Sequence, residues 1–111
     1  MTNQNKIQNP EKQVPKTPQM NERDFTNDML STEKYFVTSY RVALNEASNE
    51  ALFQTINQVA NEAQNMQREL YTLMFQKGWY GLEKAQPEEL SQSYQQFSGY
   101  QTQLPYGTQL Q

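Results

Sequence analysis

Two glutamates, Glu33 and Glu62, are the residues of this chain whose type and spacing come closest to a metal or acid–base site. Carboxylates brought together by neighbouring helices can hold a hard cation or share a proton. Glu33 continues an apolar line through Met29, Phe36 and Tyr40, while Glu62 lies beside Val59 and Ala63. In a hairpin turning near position 48 the two would sit at nearly the same height. The residue three after Glu62 is Asn65, where a helical di-metal site would carry histidine. The sequence holds no histidine and no cysteine, which removes most side chains used for proton transfer, nucleophilic attack or tight transition-metal binding. A carboxylate-only pair would at best hold Mg2+, Ca2+ or Mn2+ weakly. The plainer expectation is that both glutamates border an apolar stripe and meet Lys34, Arg68 or solvent. No catalytic residue and no cofactor is expected.

A second chemistry lies at the two ends. Residues 1–20 hold Lys6, Lys12 and Lys16 among three prolines, and residues 92–111 hold seven glutamines and three tyrosines. Such ends are complementary for Gln–Lys isopeptide bonds or tyrosine coupling. The competing expectation is a partly docked tail in which Tyr94 and Phe97 pack on the helices and the rest is solvated.

Composition narrows the partners. Seventeen glutamines and ten asparagines make about a quarter of the 111 residues uncharged amide. The net charge of −3 is scattered, with no basic run to track a phosphate backbone, so no nucleic-acid partner is expected. No apolar run approaches the roughly 20 residues needed to cross a bilayer, so no membrane insertion is expected. The N-terminus lacks the apolar core of a secretory signal, which predicts a protein kept inside the cell that makes it.

The elements that must position these residues are helices. Glu22 to Glu46 and Asn49 to Lys77 are long amphipathic segments, the second stopped by Gly78-Trp79-Tyr80. Asn21 suits the cap of the first, with Glu22 and Asp24 in its first turn. Its apolar stripe reads Phe25, Met29, Phe36, Tyr40, Ala43, Leu44, Ala47; that of the second reads Leu52, Ile56, Val59, Ala63, Met66, Leu70, Leu73, Met74. Ser48 or Asn49 can cap the second helix, and a short link there would make the two antiparallel neighbours. No Gly or Pro marks that turn, so periodicity also permits one continuous helix. Pro87, Glu88 and Glu89 open a third helix to about Ser98. The expected organisation is a disordered or extended arm over 1–20, a helical hairpin over 21–80, a short helix within 81–98 and an irregular Gln/Tyr-rich tail over 99–111. Trp79 and Tyr80 are expected to plug the end of the bundle, and Phe36, Tyr40 and Leu70 to join them as packing or interaction residues.

The segments Met20-Asn21-Glu22-Arg23-Asp24-Phe25, Thr32-Glu33-Lys34-Tyr35, Ala43-Leu44-Asn45-Glu46-Ala47-Ser48 and Gln67-Arg68-Glu69-Leu70-Tyr71, with the terminal Lys77-Gly78-Trp79-Tyr80, occur in an order and spacing that resembles the spore coat protein F family of endospore-forming bacteria. The resemblance covers roughly residues 20–80. It implies a ferritin-like helical domain and a place in or near the spore coat, and it implies no reaction. The expectation is therefore an all-α structural or assembly component of the coat, made in the mother-cell cytoplasm. It would pack its helix faces against itself, as a dimer, and against other coat proteins. A degenerate ferritin-like metal-binding protein and a soluble helical adaptor unrelated to spores are the alternatives.

Overall fold

The computed structural model describes residues 5–106 and shows two long helices joined by a tight turn. Helix α1 spans Glu22–Glu46 and helix α2 spans Glu50–Gln76. Asn21 caps α1 in a capping box: its side-chain oxygen accepts from the Asp24 amide at 3.1 Å, and the Asp24 carboxylate accepts from the Asn21 amide at 3.3 Å. Ala47 leaves the helix in an extended conformation, and the Asn49 side chain accepts from the Leu52 amide at 3.0 Å. That cap starts a new helix without a Gly or Pro, so the chain turns back and is not one continuous rod.

The end of α2 is a glycine stop. Gly78 has φ +75°, its amide donates to Phe75 O at 3.1 Å, and the Trp79 amide donates to Met74 O at 2.9 Å. This pair of bonds is a Schellman motif, which satisfies carbonyls the helix would otherwise leave open.

The hairpin core is thin. Leu30, Ala60 and Met74 are the buried apolar residues among those described, each 2 % exposed or less. Flanking them, the half-buried positions of α1 beyond its first turn are Thr26, Glu33, Val37, Tyr40 and Leu44, and those of α2 include Phe53, Ile56, Ala63, Gln67 and Leu70. Inner residues thus recur at alternating three- and four-residue steps on both helices, the spacing of a coiled-coil seam. This corrects the predicted stripes. Phe25, Met29 and Phe36 on α1, and Leu52, Val59, Met66 and Leu73 on α2, lie outside the seam and are exposed. Each helix carries two adjacent apolar lines, and one partner helix can cover only one of them.

The N-terminal arm is extended and tied down. The Lys12 amide donates to Lys77 O at 2.8 Å, the Gln8 side chain to Gly78 O at 2.8 Å, and the Asn9 side chain to Phe75 O at 2.8 Å. Residues Gln8–Gly81 form one compact unit that holds this arm and the hairpin. A second unit contains the strands β1 (Lys6–Ile7) and β2 (Leu82–Glu83) and helix α3 (Pro87–Tyr100). The two strands pair antiparallel, Lys6 with Glu83 and Ile7 with Leu82, a ribbon the sequence did not suggest. Helix α3 runs two residues further than expected and continues into a 3-10 turn over Gln101–Gln103.

Candidate interaction surface

The inner seam divides the hairpin into two unlike faces. An antiparallel pair is related by a two-fold axis normal to the plane of its helices, so equivalent positions in the seven-residue repeat fall on the same face of both. Following the inner residues Thr26, Glu33, Tyr40 and Ile56, one face takes Asn27, Lys34 and Arg41 from α1 and Asn57, Gln64 and Tyr71 from α2. Arg41 bridges the helices there, donating to Asn57 Oδ1 at 3.3 Å and Asn61 Oδ1 at 3.0 Å. Lys34 lies on the same face, 5.0 Å from the Tyr80 ring centroid and donating to its hydroxyl at 3.3 Å. This face is polar and already bonded across.

The opposite face takes Met29, Phe36 and Ala43 from α1 and Leu52, Val59, Met66 and Leu73 from α2. The large members are 37 to 51 % exposed. Here the hairpin shows water a continuous apolar band where a surface helix ordinarily places polar groups.

The expected packing residues separate into three places. Tyr40 and Leu70 are half-buried in the seam, and Phe36 sits on the apolar face, stacked on Tyr40 with ring centroids 6.2 Å apart. Trp79 packs at the arm, its indole nitrogen donating to Lys12 O at 2.9 Å. Tyr80 meets Tyr71 edge to face at 5.1 Å. The aromatic pair therefore joins the arm and the polar face to the glycine end of the hairpin.

Glu33 is half-buried on the seam, whereas Glu62 is exposed and accepts from Gln58 on its own helix at 3.4 Å. Lys34 is engaged with Tyr80, and Arg68 lies over the Tyr71 ring at 5.6 Å. Among the described residues no group of three or more His, Cys, Asp or Glu side chains is placed to hold a metal ion. No helix among them is long and apolar enough to cross a membrane. Tyr94 and Phe97 on α3 are 75 and 66 % exposed. Gln109 and Gln111 of the tail lie outside the described residues.

Sequence reasoning missed the arm contacts of Gln8, Asn9 and Lys12. The one available signal was Gly78, whose hydrogens leave room for another strand of backbone. A Cβ there would overlap the Pro10 carbonyl oxygen and stand 2.6 Å from both Asn9 O and the Glu11 Cα.

Comparison with known proteins assigns the hairpin region to a family. The family model described as the Coat F domain matches residues 21–83, which covers α1, α2, the glycine stop and β2. An uncharacterized protein of Bacillus subtilis (strain 168), YusN, is 51 % identical over 108 residues, covering 96 % of this chain and 98 % of that protein. No solved structure matches. With a family model over more than half its length and a full-length relative at this identity, the chain belongs to the Coat F domain family.

Proposed function

We propose that this protein is a structural or assembly component of the bacterial spore coat, made in the mother-cell cytoplasm and built into the coat by packing its exposed helix faces. The observation that carries the reading is the apolar band of Phe36, Val59 and Met66 in a chain of the Coat F domain family. A hairpin with so few fully buried side chains gains stability by covering that band, and a dense protein layer is where it would be covered. No residue is assigned a catalytic role.

The test is location. A fluorescent fusion followed through sporulation, with extraction of purified spores, should place the protein around the forespore and then in the coat fraction. Uniform expression in vegetative cells with none in the coat extract would favour a soluble adaptor and sink this reading.

A further inference from the structure

On α2 the exposed residues Leu52, Val59, Met66 and Leu73 recur every seven positions, and on α1 Met29 and Phe36 do the same. A seven-residue apolar repeat forms a straight ridge that fits between the side chains of another helix. The hairpin thus carries a second seam, parallel to the one it uses internally, and within the unit Gln8–Gly81 no further helix covers it. We propose that this face docks a second copy of the same chain. Two hairpins then close into a four-helix bundle, each α1 lying over the partner copy's α2, with both interhelical turns at one end. The inference deepens the packing part of the function proposed above and does not depend on location in the coat.

Size and edge chemistry both fit a second copy. Helices of 25 and 27 residues are about 38 to 40 Å long, and a packed pair is roughly 20 Å wide. The face is therefore roughly 750 Å², close to the ~800 Å² per partner of a standard stable interface. The Arg41 bonds to Asn57 and Asn61 set which positions are level across the hairpin. With that register, docking α1 over the partner's α2 sets three exposed rim glutamates opposite hydroxyl residues: Glu69 faces Thr32, Glu62 faces Ser39 and Glu46 faces Thr55. The other two-fold arrangement, α1 over α1 and α2 over α2, would bring Glu62 level with Glu69 twice, a like-charge contact. The rim thus selects one of the two arrangements open to a self-complementary face.

Sedimentation of the full chain at about 50 µM should give a species of twice the 13.0 kDa chain mass. Phe36→Glu with Met66→Glu should weaken association by more than about a hundredfold, because each charge would be buried unpaired. Gln64→Lys, on the polar face, should leave it unchanged. Mixing the doubly Glu-substituted chain with a Phe36→Lys, Met66→Lys chain should restore the dimer, a result that loss of folding cannot produce. The absence of native cysteine makes the orientation readable. Ser39→Cys mixed with Glu62→Cys should form covalent heterodimers on oxidation, and Glu62→Cys mixed with Glu69→Cys should form far fewer. A helical monomer at this concentration, a dimer indifferent to the Glu substitutions, or preferential 62–69 cross-linking would each overturn the proposal. Capture of a different coat protein by a monomeric chain would overturn it too, while leaving the coat function standing.

Discussion

Trp79 and Lys12 form a reciprocal clasp: the Lys12 carbonyl accepts the indole N–H at 2.9 Å while the Lys12 amide donates to the carbonyl of Lys77, two residues before the tryptophan, at 2.8 Å. One residue of the arm thus pairs both its backbone groups with the end of α2. Trp79 offers a single side-chain donor, and that donor is used at this contact.

Replacing Trp79 by Phe keeps most of the apolar body and removes the donor. The exposed Lys12 carbonyl can turn to water, so the cost should be that of an ordinary hydrogen bond, about 0.5 to 1.5 kcal/mol. Chemical denaturation of Trp79→Phe against wild type, followed by helical circular dichroism, measures it. A loss above about 3 kcal/mol would show that the indole holds more than the arm.

Gly78→Ala should be worse, because two penalties coincide. The glycine is in the left-handed region at φ +75°, where a side chain costs about 1 to 2 kcal/mol, and its Cβ would collide with arm backbone that has no flexible end to move aside. The expected outcome is release of the arm with the hairpin retained. Hydrogen exchange should show Lys12 losing protection while the middle of α2 keeps it. Equal loss throughout would mean that arm and helices unfold as one unit.

In the seam, Leu30 is 1 % exposed, whereas Val42 on the outer surface of α1 is 58 % exposed. Leu30→Ala should cost about 2 to 5 kcal/mol. Val42→Ala should stay within about 0.5 kcal/mol. Thermal melts of the two variants make the comparison, and similar losses would place the core elsewhere.

What the sequence made legible follows from what leaves a side-chain signature. Both helices, the Asn21 cap, the Asn49 restart and the Gly78 stop are written in residue types with a local physical cause. The choice between two apolar lines one residue apart, Met29 and Phe36 against Leu30 and Val37, is not local. Both satisfy helical periodicity, and the close approach of α1 to α2 decides which is covered. The arm was hidden for a different reason. Its main attachments run from backbone or amide groups of Gln8, Asn9 and Lys12 to the carbonyls of Phe75, Lys77 and Gly78 around the end of α2, and hydrogen bonds of that kind impose no hydrophobic pattern. Of the residues expected to pack or interact, Phe36 lies on the apolar face, and Leu70 and Tyr40 lie in the internal seam.

The arm is also fastened electrostatically, which gives a pH prediction with a defined sign. Lys12 Nζ donates to the Glu22 carboxylate at 3.0 Å, and Arg23 meets Glu11 at 3.3 Å. The hydrogen bond and positive charge of Lys12 hold the Glu22 carboxyl below its usual value of about 4.3. A carboxyl whose folded pKa is depressed contributes stability that is fully present above the unfolded value and is lost as pH falls through the folded one. Arm attachment should therefore be constant from about pH 7 to 5 and weaken below about pH 4. The pair is exposed, so the step should be small and should shrink in about 1 M salt, where the Debye length is about 3 Å. Trp79 is the one tryptophan of the chain, and its emission reports the clasp directly. Emission should shift to longer wavelength as acid frees the arm, and in Glu22→Gln the part of that shift due to Glu22 should vanish. An identical acid transition in both proteins would assign the step to other carboxylates and leave the Lys12–Glu22 pair without a role in holding the arm.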